Sequence, residues 1–146
     1  MRKKFAYLSW EQAKQLLPPP FDSSVMFDGK QSLHLSSKGN VLFHGSSKKL
    51  DQYGTYWWYS IRPKNIEKVN YILLAVDFCG VIFAPVKVFL DYQKKNPVGY
   101  VKGGRESVKI YQAGKRYIRK ESKCTEEDWT RYFIPYQNEI RIIDKN

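Results

Sequence analysis

The stretch TYWWYSIRPKNIEKVNYILLAVDFCGVIFAP, residues 55–85, decides the fold. Residues 55–62 combine aromatic and β-branched side chains, the composition of a strand, and Pro63 then starts a connector or short helix that runs to residue 69. Residues 71–78 and 81–84 are apolar runs joined at Cys79-Gly80, and continuous apolar runs of this length predict strands at the buried centre of a sheet. Pro85 has the φ suited to a first helical turn. Val86, Phe89 and Leu90 recur at helical spacing until Asn96-Pro97 ends the element near Lys95.

Working outward, Ser9-Trp10-Glu11-Gln12 reads as a helix N-terminus with Ser9 as cap and Gln12 able to bond back. That helix should run to Leu17 and stop at Pro18-Pro19-Pro20, where a backbone donor is missing at every position. The alternation SLHLS at residues 32–36, the turn Lys38-Gly39-Asn40 and residues 41–44 predict a hairpin, followed by a polar loop at 45–54. Residues 97–106 (PVGYVKGGRE) carry three glycines and read as a mobile loop. Residues 107–112 and 115–121 predict a second hairpin around Ala113-Gly114. Thr125 should cap a last short helix containing Trp129, with Glu126, Glu127 and Asp128 in a first turn where the helix dipole favours acids. The expected fold class is α+β: one domain over residues 1–146, with a mixed or antiparallel sheet of about five to seven strands and two or three short helices.

The chain of 146 residues is 42% hydrophobic and 16% aromatic, enough to bury a core, which excludes intrinsic disorder. Its longest apolar run, residues 71–76, falls well short of the ~18–20 residues that span a bilayer, and no apolar signal core opens the sequence. The expectation is a cytoplasmic protein without a membrane partner. Cys79 and Cys124 form no CxxC pair and are read as reduced thiols. His34 and His44 are the only histidines and lie far from any Cys partner, so neither a metal site nor a cofactor is expected.

With 25 Lys+Arg against 14 Asp+Glu, the formal charge is +11 and the pI about 9.6. The excess is local. Residues 87–123 hold eleven basic and three acidic side chains, and so eight of the eleven net charges. In the second hairpin, alternation puts Lys109 with Tyr111 on one face, Arg116 with Ile118 and Lys120 on one face, and Lys115 with Tyr117 and Arg119 on one face. Together with Lys102 and Arg105 in the glycine-rich loop, this predicts a positive surface that binds phosphates. Such a two-stranded ribbon can also enter a major groove. A solvated basic edge that resists aggregation would carry the same residues.

Two further clusters bear on function. In the run Tyr56, Trp57, Trp58, Tyr59, neighbours point to opposite faces, so either Tyr56/Trp58 or Trp57/Tyr59 lines the non-core face, where a base could stack. Ser46, Ser47, Lys48 and Lys49 after His44-Gly45 suit a phosphate-binding loop, and Arg62 ends the aromatic strand. The expected nucleic-acid contacts are therefore Lys48, Lys49, Arg62, Lys102, Arg105, Lys109, Lys115, Arg116, Arg119 and Lys120.

Three resemblances add to this reading. Residues 41–46 (VLFHGS) resemble the His-Gly-Ser/Thr strand of His-Tyr-Glu ADP-ribosyltransferases, which implies a nicotinamide-ribose role for His44 and leaves Glu121 or Glu139 to supply the glutamate. Residues 70–87 resemble a PD-(D/E)XK restriction-endonuclease core in hydrophobic pattern, with Asn70 where the family has its first Asp, Pro85 where it has Glu or Gln, and only Lys87 matching. More broadly, residues 56–90 are similar to DNA-recognition regions of restriction-type proteins: an aromatic strand, an apolar strand, and a strand ending in Pro before a helix. That likeness implies DNA binding without an intact catalytic motif.

The reading is thus a nucleic-acid-binding module, duplex DNA before RNA. The alternatives are a small nuclease or RNase-type toxin using His44 with Lys or Arg groups, and a module that binds or inhibits an acidic protein.

Overall fold

In a computed structural model, which describes residues 6–30, 32–96, 106–121 and 125–136, alternation along residues 55–85 sorts the chain into two stacked sheets. The strands are β1 (Asp28–Lys30), β2 (Leu33–Leu35), β3 (Val41–Ser46), β4 (Lys49–Asp51), β5 (Gly54–Ile61), β6 (Tyr71–Val76), β7 (Gly80–Pro85), β8 (Glu106–Ala113), β9 (Arg116–Arg119), β10 (Glu127–Asp128) and β11 (Phe133–Pro135). The helices are α1 (Trp10–Ala13), α2 (Pro63–Ile66) and α3 (Val86–Lys95). The first sheet has the order β1-β2-β3-β6-β7-β11, and the second β10-β9-β8-β5-β4.

Among the described residues, only β3 and β6 pair in parallel. Parallel neighbours need a long crossover, commonly a helix on the sheet face. Here the crossover contains the β4–β5 hairpin, which builds the second sheet, and α2, which brings the chain back. The α+β class is as expected, while the strands divide between two sheets rather than one.

The first sheet is the middle layer. Leu42, Ile72, Leu74, Val76 and Ile82 face the second sheet and meet Trp57, Tyr59, Ile61, Val108, Ile110 and Tyr117. The opposite side chains, Val41, Leu73, Ala75 and Val81, lie under Leu8, Ala13, Leu17 and Phe21 of the N-terminal segment. Burial on both faces explains the unbroken apolar run of β6. The capping box at Ser9 forms as expected, with Gln12 N donating to Ser9 Oγ at 3.2 Å and Ser9 N donating to Gln12 Oε1 at 3.0 Å.

One buried carboxylate ties the layers together. Asp77, in left-handed backbone (φ 41°) at the β6–β7 turn, accepts from Trp57 Nε1 at 2.8 Å and from the backbone N–H groups of Phe78 and Cys79. Trp57 is therefore anchored in the core by both shape and hydrogen bonding.

Two local expectations change. The polar loop at 45–54 contains β4, because Leu50 and its neighbours pair with the start of β5. The expected helix after Thr125 is instead β10 followed by one 3₁₀ turn, Thr130–Tyr132. The open edge of β9 accounts for this: Glu127 pairs with Arg119, and Trp129 N donates to Tyr117 O at 2.8 Å. Thr125 caps nothing, since its N and Oγ1 both donate to Asn96 Oδ1 at the end of α3. The loop at 97–105 lies outside the described residues. Among the described residues, no helix is long and apolar enough to cross a membrane.

Candidate nucleic-acid interface

Because Trp57, Tyr59 and Ile61 of β5 point into the core, Tyr56, Trp58 and Ser60 point away from it. The register carries this face across the sheet: Tyr56 lies opposite Lys49 and Tyr111, Trp58 opposite Lys109, and Tyr111 opposite Ile118. Arg116 and Lys120 continue the outer face of β9. The result is an open groove of about 620 Å³ whose walls include Tyr53, Lys109, Tyr111, Arg116, Ile118 and Lys120.

The outer face at and beside the groove is aromatic and ordered. Tyr56 and Tyr111 pack at 5.3 Å between centroids, and Lys109 Nζ stands 5.0 Å from the Tyr56 centroid and 5.9 Å from that of Tyr111. Such a cation–π contact at an exposed site contributes about 0.5–1 kcal/mol. Trp58 is held by Nε1 donating to Ser107 Oγ at 2.7 Å, and 38% of it remains exposed. Tyr111 donates its hydroxyl to Asp51 Oδ2 at 2.8 Å, and Asp51 Oδ1 accepts from Tyr53 N at 2.8 Å. Partial burial, followed by the Asp51 carboxylate, pushes the Tyr111 hydroxyl up to about 12. Tyr111 is therefore a neutral donor throughout the physiological range.

Acids also line the groove: Asp51, Glu121 and Glu126. Glu121 is neutralised from behind, its carboxylate accepting from Arg119 Nε at 3.2 Å, Lys109 N at 2.7 Å and Ser107 Oγ at 3.3 Å.

The structure revises the expected contact set. Arg119 is fully buried and cannot reach a phosphate. Its guanidinium lies 3.9 Å from the Tyr92 centroid, 4.8 Å from Phe89 and 5.3 Å from Trp129, with Nη2 donating to Ser107 O at 3.3 Å. The inward parity that Arg119 shares with Tyr117 puts it there. Trp57 and Tyr59 are 1% exposed and are likewise removed as stacking residues, leaving Tyr56 and Trp58.

The remaining cations are dispersed. Lys109 and Lys120 are half-buried on the outer face, and Lys49 is half-buried at the β4 edge. Lys48, Lys115, Arg116 and Arg62 are exposed, Arg116 with a 3.5 Å ion pair to Asp128. Lys102 and Arg105 lie outside the described residues. Helix α3 buries Phe89 and Tyr92 on the Arg119 side of the second sheet, so its Lys87, Lys94 and Lys95 do not join the groove. The described cations of the 87–123 cluster are thus split between two surfaces.

His44 stands on the core-facing side of β3 with its Nε2 enclosed in protein. Gly45 beside it makes room for an aromatic ring: a Cβ there would lie 2.0 Å from Tyr7 Cδ1. This close approach explains the glycine of the His-Gly-Ser strand. Among the described residues, no group of three or more His, Cys, Asp or Glu side chains is placed to hold a metal ion.

Sequence reasoning missed Asp51 and Glu126 as groove residues. Asp51 arrives through the unexpected pairing of β4, and Glu126 through the strand that replaced the last helix. No family model, curated protein or solved structure gives a significant match to this chain.

Proposed function

We propose that this chain is a nucleic-acid-binding module whose ligand lies on the outer face of the second sheet. The observation that carries the reading is the outer row itself: four aromatic or apolar side chains, Tyr56, Trp58, Tyr111 and Ile118, interleaved with Lys49, Lys109, Arg116 and Lys120 on one sheet surface. Aromatic platforms contact bases and cations contact phosphates. The net charge of +11 adds long-range attraction for a polyanion.

Insertion of the β8–β9 hairpin into a major groove fits this sheet poorly. Both strands are flanked, β8 by β5 and β9 by β10. Five strands at about 4.8 Å spacing are about 19 Å wide, against a groove of about 12 Å.

The test is fluorescence anisotropy of labelled oligonucleotides across a salt series. If three phosphates are neutralised, affinity for a single strand falls about twentyfold between about 50 and 200 mM salt, from a slope of about −0.7 per phosphate. Lys109→Ala with Lys120→Ala should flatten that slope. Absence of binding to DNA or RNA of any form at about 50 mM salt refutes the reading.

A further inference from the structure

We infer that the ligand of this face is a single strand with its bases turned toward the sheet and its phosphates toward the basic side chains. The inference rests on the nucleic-acid reading above and deepens it.

The first argument is spacing. Tyr56 and Trp58 are two residues apart on β5, which sets their side chains about 6.7 Å apart along the strand. Stacked B-DNA rises only about 3.4 Å per nucleotide on each strand. Neighbouring bases seated on these two positions are therefore separated from each other, and each gains a protein ring where it loses a base. In a duplex, every base face is already covered by its neighbour, and Trp58 would meet only backbone.

The second argument is where the charges sit. Asp51, Glu121 and Glu126 share the lining of the groove with Lys109, Arg116 and Lys120, so acids and cations alternate along it. A duplex laid on this surface would press phosphates against Asp51 and Glu126. A flexible single strand can set its phosphates against Lys109, Arg116 and Lys120 and offer base amino groups, which are donors, to the carboxylates. The Arg119 guanidinium offsets the charge of Glu121, so Asp51 and Glu126 are the acids that a phosphate must avoid.

The third argument is order before binding. Trp58 is held by Ser107 and Tyr111 by Asp51, so the platform is set without ligand and stacking does not have to immobilise free side chains.

The experiment compares four probes of equal length: single-stranded DNA, single-stranded RNA of the same sequence, the DNA duplex, and an abasic DNA strand with the same charge. Single strands should bind at least about tenfold tighter than the duplex, and the abasic strand about a hundredfold weaker than intact DNA, because stacking on each of the two rings is worth about tenfold. Trp58→Ala should lose about tenfold for single strands and leave the abasic strand unaffected. Trp58→Phe, which keeps a stacking ring, should retain most of the affinity and guards against loss of fold in the alanine variant. Equal affinity for DNA and RNA single strands supports the inference, since ring stacking ignores the 2′-hydroxyl.

Duplex binding as tight as single-strand binding overturns the inference and leaves the nucleic-acid reading standing. So does an abasic strand that binds like intact DNA. Failure of all four probes overturns the nucleic-acid reading itself.

Discussion

Replacing Arg119 by alanine should unfold this protein more readily. The side chain is fully buried, and its one carboxylate partner, Glu121, is 7% exposed at 3.2 Å. Removing one member of such a pair leaves the other charge without its compensating ion in a low-dielectric site, which costs about 3–5 kcal/mol. Glu121 would retain only the neutral donors Lys109 N and Ser107 Oγ. The space vacated between Tyr92, Phe89 and Trp129 adds a cavity cost of the same sign. For 146 residues, with about 3 °C per kcal/mol, the midpoint should fall by about 9–15 °C.

Thermal unfolding followed by far-UV circular dichroism measures this, and oligonucleotide affinity, taken well below the lowered midpoint, should fall because Glu121 then meets the groove without its compensating cation. Arg119→Met combined with Glu121→Gln removes both charges and keeps the volume, so it should recover most of the loss. An Arg119→Ala variant that melts within about 2 °C of the parent while losing affinity would refute the reasoning and put Arg119 back among the phosphate contacts.

Gly45→Ala should destabilise by about 1–3 kcal/mol, because the new Cβ would sit 2.0 Å from the Tyr7 ring; adding Tyr7→Ala should cost less than the sum of the single changes, which a double-mutant cycle in denaturant measures. Cys79 is exposed, yet burial first, and then its bond to Asp77, push its thiol up to about 11. In a Cys124→Ser background its alkylation near pH 8 should be about a hundredfold slower than that of an ordinary thiol, with a rate that keeps rising to about pH 11. Tyr111 lies above its unfolded value, at about 12, so the folded state holds this proton more tightly. Its stabilising share is complete below about pH 10 and is lost as pH rises toward 12; Tyr111→Phe should flatten that part of the stability profile measured by chemical unfolding.

Much of the backbone was legible because it follows from local chemistry. Period-two alternation alone required Trp57 and Trp58 to face opposite ways, and the doubly apolar run at 71–76 alone placed β6 at a sheet centre. The capping box at Ser9 and the turn at Gly114, with φ 65°, needed no distant partner either. Where local preference competed with an open sheet edge, the edge won. Acids at 126–128 favour a first helical turn, but β9 offered unpaired backbone groups, and pairing there satisfies donors and acceptors that a short helix would leave to water.

The sequence by itself determined the alternation, the apolar centre and a large positive charge. Only the tertiary structure decided which side of the alternation is wet. Trp57 is buried because Asp77, on the other sheet, accepts its indole proton, and Trp58 is left outward by the same parity. Arg119 looks like its neighbours Arg116 and Lys120 in a charge count, yet it is sealed under Tyr92 by a carboxylate two residues on. Charge sign belongs to the residue, but whether that charge meets solvent depends on partners brought from elsewhere in the chain. That is the physical reason a basic segment became one buried ion pair, one separate helix face and one aromatic groove.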